Sequence, residues 1–274
     1  MSDAAPPNTP EAPAPRLDAE AIIARLDAEL SRLGGGVLAT DADGTIWDGD
    51  VGVDSFERLI AEDAVRDEAR PALAAEATAI GLSATGKSPT ALAAELYKAH
   101  LDERYPHDRA FAMMAWVFAG FRDSEVRAFA ERVLDAGGLE ARVRPEIRQI
   151  LRWAEAQRVP VYVVSASPVR VVEVGVARIG APVARTLAMT PAQGEGSVIL
   201  PRLDGPVVYG DGKVRVLLDA GLPGPILGAF GDSHYDAPML KQARVPVAVT
   251  PSTRLAALLH TIPGVVELAR AMKG

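Results

Sequence analysis

Short apolar segments alternate with segments of helical spacing along most of this chain. Four of the apolar segments have the length of a β-strand, and they cover residues 37–40, 161–164, 226–230 and 245–249. Uninterrupted apolar strands are typical of a parallel sheet that is covered by helices on both faces. The alternation therefore predicts an α/β fold with a doubly wound, mostly parallel sheet.

A long segment without strand signals interrupts this alternation after the first strand. Residues 54–140 are rich in Ala, Glu and Arg and contain several helix-start patterns, so we expect an inserted, all-helical domain of four or five helices. Residues 16–53 and 141–274 then form the α/β core. Residues 1–15 contain almost no large apolar side chains that could offset the entropy lost on ordering, and we expect a disordered tail there.

The composition excludes several classes of protein. The net charge is −7, so the chain offers no basic field that would attract nucleic acid. The longest apolar stretch without a charge covers residues 110–121, which is shorter than the roughly 20 residues of a membrane-spanning helix. The absence of cysteine excludes disulfides, thiolate metal sites and a cysteine nucleophile. No secretory signal is recognisable, and we expect a cytoplasmic protein.

The sequence Asp41-Ala42-Asp43-Gly44-Thr45 directly follows the first apolar segment. That position places two carboxylates and a glycine turn at the carboxyl end of a strand, where open α/β sheets bind ligands. The two carboxylates can divide the work of a reaction. One can attack as a nucleophile and hold a cation, while the other donates and accepts a proton.

Three further polar motifs follow apolar segments or begin a helix. Ser165 follows the second apolar segment, and its hydroxyl can donate to a phosphate oxygen. Lys213 stands at the start of an expected helix, where a positive charge is unfavourable against the helix dipole. Its presence there needs an explanation. Asp232 and Asp236 follow the third apolar segment, and the pair can face one cation if a turn begins there.

In this order, the four motifs resemble those of the haloacid dehalogenase superfamily of phosphatases. The resemblance covers the α/β part of the chain and implies a Rossmann-like core. It also implies that Asp41 is a nucleophile that forms an aspartyl-phosphate and that Asp43 is the general acid and base. A phosphatase needs such an acid because it must protonate the leaving alcohol.

The resemblance assigns roles to the other motif residues as well. Ser165 and Lys213 would bind the transferring phosphoryl group, and the implied cofactor is Mg²⁺. Its expected ligands are the side chains of Asp41 and Asp232 and the backbone carbonyl of Asp43. Asp236 would support either the metal or Lys213.

Far more residues separate Asp41 from Ser165 than a single crossover helix requires, which implies an inserted cap. A helical cap here resembles the phosphoserine phosphatase-like branch, which also includes phosphatases of phosphocholine and other small organophosphates. In that branch a glutamate nine residues after the nucleophile contacts the substrate amine, and this chain has Asp50 there. The branch usually has asparagine where this chain has Tyr235. The candidate substrate residues are Asp50, Tyr235 and Trp47, the last as an expected pocket lid.

Two alternatives remain open. Residues 81–88 match the GxxxxGK[ST] pattern of nucleotide-binding P-loops, which requires a strand before it. A non-catalytic regulatory module with the same fold is the other alternative. The favoured prediction is a Mg²⁺-dependent phosphomonoesterase for a small phosphorylated metabolite, such as a phosphoserine- or phosphocholine-like ester, with no nucleic-acid or membrane partner.

Overall fold

The computed structural model describes residues 13–270, and a seven-stranded parallel sheet forms the centre of that part of the chain. The described strands are β1 (Arg16–Leu17), β2 (Val37–Thr40), β3 (Val161–Pro168), β4 (Val183–Met189), β5 (Pro191–Gln193), β6 (Ile199–Leu203), β7 (Ile226–Gly231), β8 (Val245–Val249) and β9 (Val266–Leu268). The sheet order is β1-β9-β8-β7-β2-β3-β4, and β5 and β6 form a separate antiparallel pair. The prediction of a parallel α/β sheet is confirmed.

Helices connect most of the strands. They are α1 (Ala19–Leu33), α2 (Val51–Ala61), α3 (Arg70–Ala79), α4 (Pro89–Leu101), α5 (His107–Trp116), α6 (Asp123–Ala136), α7 (Leu139–Arg142), α8 (Pro145–Ala156), α9 (Val169–Arg178), α10 (Asp211–Asp219), α11 (Ala237–Leu240) and α12 (Thr253–Ala256). Within residues 13–270, none of the helices combines the length and the apolar character that crossing a bilayer requires.

Both faces of the sheet are buried, as the uninterrupted apolar strands require. Leu38 of β2 packs in one apolar cluster with side chains of α1, α8 and α9. Its neighbours Val37 and Ala39 point to the opposite face and pack with side chains of α10, α11 and α12. This alternation along one strand is the two-residue period of a β-strand, and it shows that the sheet is doubly wound.

The helices α2 to α7, which we call the helical block, lie between β2 and β3. Helices α2 to α6 enclose an apolar cluster, to which Ile199 of β6 also contributes, whereas Leu139 of α7 packs in the cluster of the sheet core. The sequence led us to expect four or five helices in residues 54–140, whereas this described segment of the chain contains six, the last of which has only four residues. The first begins at Val51 because Asp50 Oδ1 accepts a hydrogen bond of 2.8 Å from the backbone N–H of Val53.

Two short strands complete one edge of the sheet. The short α12 follows β8, and it is followed by β9, which pairs with β8 and β1. The strands β1 and β9 contain two and three residues, and such short strands carry no readable periodicity. Residues 1–12 of the expected disordered tail lie outside the described residues.

Candidate active site

The four motifs of the sequence come together at the carboxyl ends of three neighbouring strands. The strand β2 lies between β3 and β7, and all three run parallel. Asp41 follows β2, Ser165 lies near the end of β3, and Asp232 follows β7. Lys213 reaches the same edge from the first turn of α10. This is the edge at which open α/β sheets bind their ligands.

Lys213 is the centre of a buried charge cluster. Its ammonium nitrogen donates to Asp41 Oδ1 at 2.7 Å and to Asp236 Oδ1 at 2.5 Å. Only 3% of the Lys213 surface is exposed, and a buried ammonium group requires such partners. The unusual place of a lysine in the first turn of a helix is therefore explained by two carboxylates that hold it.

Asp236 is fixed by donors on both of its oxygens. Oδ1 accepts from Lys213, and Oδ2 accepts from the backbone N–H of Asp232 at 3.2 Å and from the backbone N–H and hydroxyl of Ser233 at 2.9 Å each. Gly231 allows this tight turn, because a Cβ there would lie 2.4 Å from the Asp236 Cβ. Asp236 therefore supports Lys213, which is one of the two roles that we expected for it.

Burial and mutual repulsion disturb the titration of the acidic residues. Burial raises the pKa of Asp41 well above its usual range, although the charge of Lys213 opposes this shift. Burial and the nearby Asp236 raise the pKa of Asp232 to about 7. Burial disfavours the charged form of Lys213 and would lower its pKa. The charges of Asp236 and Asp41 outweigh burial and raise the pKa of the lysine. The site holds more negative charge than one lysine balances.

The residues present fit a divalent cation. Carboxylate oxygens of Asp41, Asp232 and Asp236 lie within 4.8 Å of one another. Oxygen ligands of this kind are those that Mg²⁺ prefers, and a cation would relieve the repulsion that raises the pKa values. Gly44 keeps the first motif close to this group, since a Cβ at Gly44 would lie 2.4 Å from Asp232 Oδ2.

Asp43 is held apart from the acidic group by its own set of donors. Its Oδ1 accepts from Trp47 Nε1 and from the backbone N–H of Val51, each at 2.8 Å. Its Oδ2 accepts from the hydroxyl of Ser167 at 2.7 Å, and the hydroxyl of Ser165 lies 3.5 Å away. Asp43 therefore has hydrogen-bond donors of its own. Burial raises the pKa of Asp43, and these donors and the charge of Lys213 oppose that shift.

The expectation of Trp47 as a pocket lid does not match the structure. Its side chain is fully buried in the core, beneath Asp43, because the indole N–H donates to that carboxylate. A loop residue close in sequence to the first motif can point either way, and here the hydrogen bond directs it inward. Trp47 contacts the candidate general acid rather than a ligand.

The other two candidate substrate residues, Asp50 and Tyr235, have different neighbours. Asp50 caps α2 and lies beside Ser167, with 3.5 Å between its Oδ1 and the serine hydroxyl. Burial and the charge of Asp43 raise the pKa of Asp50 to about 8. Tyr235 packs its ring against Tyr209, with 3.9 Å between the ring centroids.

Two further residues, Ser167 and Arg144, contact the motifs and are not among the candidates from the sequence. The sequence does contain a signal for Ser167, because the two-residue period of a strand places it on the same side as Ser165. Arg144, at the start of α8, is buried and donates from Nε to the carbonyl oxygen of Gly44 at 3.1 Å and from a terminal nitrogen to Thr250 Oγ1 at 3.1 Å. No local pattern marks Arg144, because its partners are far away in sequence.

The P-loop alternative is wrong. Residues 81–88 connect α3 to α4 within the helical block, and a helix precedes them where the pattern requires a strand. Ser88 caps α4 by accepting from the backbone N–H of Ala91, and Lys87 forms an ion pair of 2.5 Å with Glu95. These residues therefore stabilise a helix start instead of forming a phosphate loop.

The fold and the site define an α/β protein whose acidic residues and lysine converge after parallel strands. A sequence model of the haloacid dehalogenase-like hydrolases matches residues 38–241 of the chain. The chain belongs to this family, as the four motifs predicted. No curated protein matches the sequence closely enough to add a nearer relative.

Solved structures agree with this fold. A protein of unknown function from Bordetella pertussis Tohama I is 19% identical, with a TM-score of 0.65 over 86% of this chain and 99% of that one. A probable phosphoserine phosphatase from Vibrio cholerae is 12% identical, with a TM-score of 0.53 over 86% of this chain and 61% of that one. A substrate-bound phosphoserine phosphatase is 12% identical, with a TM-score of 0.50 over 85% of this chain and 92% of that one. At these identities the likeness concerns the fold.

Proposed function

We propose that this protein is a Mg²⁺-dependent phosphomonoesterase that hydrolyses a small phosphorylated metabolite in the cytoplasm through an aspartyl-phosphate. The observation that carries the proposal is the separation of two carboxylates of the first motif. Asp41 is held by Lys213, whereas Asp43 is held by Trp47, Val51 and Ser167. Asp41 is therefore hydrogen-bonded to a cation that can bind phosphate, whereas Asp43 has a separate set of donors and feels the charge of Lys213 without a hydrogen bond to it.

The proposed reaction has two steps. An oxygen of Asp41 attacks phosphorus in line with the ester oxygen, the ester P–O bond breaks, and Asp43 gives its proton to the leaving oxygen. Water then attacks phosphorus of the aspartyl-phosphate while Asp43 takes a proton from that water. The bond between the Asp41 oxygen and phosphorus breaks, which releases inorganic phosphate and restores the Asp41 carboxylate. Asp43 thus returns to its protonated form after each cycle.

The charges of the site support phosphoryl transfer. The ammonium group of Lys213 and the hydroxyl of Ser165 would contact the oxygens of the transferring group. The side chains of Asp41 and Asp232 and the carbonyl of Asp43 would hold Mg²⁺. When bound, Mg²⁺ supplies positive charge against the phosphoryl oxygens. Asp236 keeps Lys213 in place by its hydrogen bond.

We propose that residues 54–140 act as a cap over this site, with residues 16–53 and 141–274 as the core. Two observations support this division. The helical block has its own apolar cluster, as a separately packed unit would. It also meets the catalytic edge through aromatic contacts, in which the ring of His107 lies 6.1 Å from that of Tyr235. A cap in this position would exclude water from the phosphoryl group.

We propose an amine-bearing ester, phosphoserine- or phosphocholine-like, as the substrate. Asp50 offers a carboxyl group beside Ser167, and the ring of Tyr235, in the fourth motif, packs against that of Tyr209. Aromatic faces attract an organic cation, and such a cation beside Asp50, whose pKa is about 8, would favour its carboxylate form. A phosphoserine phosphatase and a probable phosphoserine phosphatase have a similar fold, which supports the same class.

The test is phosphate release from a panel of small esters, with Mg²⁺ and with EDTA. The panel contains phosphoserine, phosphocholine, phosphoethanolamine, sugar phosphates and p-nitrophenyl phosphate. We expect Mg²⁺-dependent release from at least one ester and loss of nearly all turnover in Asp41→Asn. A folded protein that releases phosphate from none of them, or an Asp41→Asn variant as active as the wild type, would contradict the proposal and favour a non-catalytic role.

A further inference from the structure

We propose that Ser167 is the residue that positions the carboxyl group of Asp43 for proton transfer, and that Gly52 is required so that Ser167 can do so. This inference rests on the proposed function, in which Asp43 is the general acid. Ser167 would touch neither the phosphoryl group nor the metal, and its effect would reach the reaction through Asp43.

The contacts of Asp43 assign this role to Ser167. Oδ1 is held by two groups that can only donate, the indole N–H of Trp47 and the backbone N–H of Val51. Oδ2 has one short contact among the described residues, the hydroxyl of Ser167 at 2.7 Å. A hydroxyl both donates and accepts, so Ser167 can remain bonded to Oδ2 whether or not that oxygen carries the proton. Proton transfer at Oδ2 then needs no loss of a hydrogen bond.

The two serines of β3 therefore have different roles. Both point to the same side of the strand, but Ser165 Oγ lies 3.5 Å from Asp43 Oδ2, at the outer limit of a hydrogen bond. Ser165 Oγ instead accepts from the backbone N–H of Ser167 at 3.0 Å, which leaves its hydroxyl proton for another acceptor. A phosphoryl oxygen is such an acceptor. Ser165 is thus available for the substrate, and Ser167 for Asp43.

Gly52 in the first turn of α2 provides the space for the Ser167 hydroxyl. A Cβ at Gly52 would lie 2.4 Å from Ser167 Oγ and 3.0 Å from Ser167 Cβ. Glycine lowers helix stability relative to alanine, so its place within α2 is explained by this close approach. Substitution of Gly52 by alanine would therefore move the hydroxyl away from Asp43 without removing it.

The dependence of the rate on the leaving group tests this role. An alkyl phosphate releases an alkoxide that needs a proton from Asp43, whereas p-nitrophenolate leaves without one. We expect Ser167→Ala to reduce kcat/KM, which reports only the steps up to release of the alcohol, by about 10- to 100-fold on the best alkyl ester of the panel, but by no more than about 3-fold on p-nitrophenyl phosphate. The kcat also contains hydrolysis of the aspartyl-phosphate, a step that is the same for both esters and in which Asp43 acts as the base. The matched variant Ser165→Ala removes the same group from the same strand and should slow both esters by similar factors.

Two further variants distinguish the proposed role of Ser167 from a simple loss of folding. Gly52→Ala should reproduce the selective loss on the alkyl ester, with a circular dichroism spectrum like that of the wild type. In an Asp43→Asn background, Ser167→Ala should cause no additional loss, because both substitutions remove the same interaction. A merely structural role of Ser167 would give losses that add and that do not depend on the leaving group.

The outcomes separate this inference from the proposed function. If Asp43→Asn shows the selective loss on the alkyl ester but Ser167→Ala slows both esters equally or neither, the positioning role is overturned and the proposed function stands. If Asp43→Asn lowers kcat/KM on both esters by equal factors, Asp43 is not the general acid. The assigned mechanism is then wrong, and the role of Ser167 is overturned with it.

Discussion

The indole nitrogen of Trp47 lies 2.8 Å from Oδ1 of Asp43, and the ring that carries it is fully buried. A donor that lies in the hydrophobic core thus holds a carboxylate of the first motif. The turn between the two residues is short, and Trp47 also pairs with Val143, which precedes α8. The orientation of Asp43 therefore depends on packing in the core as well as on residues of the site.

Replacement of this donor should affect stability and turnover together. Trp47→Phe removes the hydrogen bond and leaves a small cavity, so we expect the free energy of unfolding to fall by about 1–3 kcal/mol. The kcat/KM on an alkyl phosphate should fall more than the kcat/KM on p-nitrophenyl phosphate, because Asp43 loses a donor that orients it. Denaturant unfolding and steady-state kinetics measure the two effects. A loss of stability with unchanged kcat/KM on both esters would contradict the link to Asp43.

Lys213→Met should be the most damaging single substitution in the site. It leaves the carboxylates of Asp41 and Asp236 buried without their cation, which costs about 3–5 kcal/mol when a partner of a buried pair is removed. Phosphate release should fall below detection. Guanidinium unfolding and the phosphate assay measure both effects.

Lys87→Met is the matched control for Lys213→Met. Lys87 is partly exposed and pairs with Glu95, so its loss should cost less than about 1 kcal/mol. Its turnover should equal that of the wild type, because residues 81–88 do not form a phosphate loop. Loss of activity in Lys87→Met would contradict that assignment.

The metal-free protein should lose stability as the pH rises towards neutrality. The pKa of Asp232 is about 7 in the folded protein, and an unfolded aspartate titrates near about 3.9, so the folded state binds this proton more tightly. Stability from this group is therefore full below about pH 4 and falls as the pH rises to about 7. In EDTA, we expect the Tm of the wild type to fall over this range and the Tm of Asp232→Asn to fall less.

Addition of Mg²⁺ should reverse this loss. At pH 8, Mg²⁺ should raise the Tm of the wild type by a few degrees, since a ligand that binds only the folded state stabilises it. Asp232→Asn lacks one proposed ligand and should show a much smaller shift. Differential scanning fluorimetry measures both variants. Equal shifts would exclude Asp232 as a ligand.

Gly44→Ala should damage the site beyond the usual cost of its backbone conformation. Gly44 has φ +74°, and a Cβ there would also meet the Asp232 carboxylate at 2.4 Å. Gly86 has φ +73° but no neighbour within 4 Å of such a Cβ. Both alanine variants should lose about 1–2 kcal/mol from the strained φ. Only Gly44→Ala should also lose phosphate release and the Mg²⁺-dependent shift in Tm, and activity equal to that of Gly86→Ala would contradict the close approach.

The sequence predicted the parts of this protein that depend on local patterns. Apolar strands followed by Asp41, Ser165 and Asp232 could be recognised because strand, turn and polar residue are neighbours in the chain. Lys213 could be assigned because a lysine in the first turn of a helix is unfavourable without a partner. The parallel sheet followed from the same alternation of strands and helices.

Features that depend on distant contacts could not be predicted in the same way. The direction of Trp47 depends on a hydrogen bond to Asp43 across a tight turn, and proximity in sequence indicated the wrong side. Arg144 is held by Gly44 and Thr250, neither of which is near it in the chain. The segment 81–88 matched a nucleotide-binding pattern because that pattern does not encode the element before it.

The short strands at the sheet edge have a consequence for the order of assembly. The backbone of Leu17 accepts from the N–H of Ala269, so this contact closes a loop of nearly all the described residues. Loop closure over such a separation is slow, and the few hydrogen bonds between two short strands offset only a small part of the entropy that is lost. During synthesis β1 must wait, unpaired, until β9 has left the ribosome. This corner of the sheet should therefore form last and exchange its amide hydrogens first.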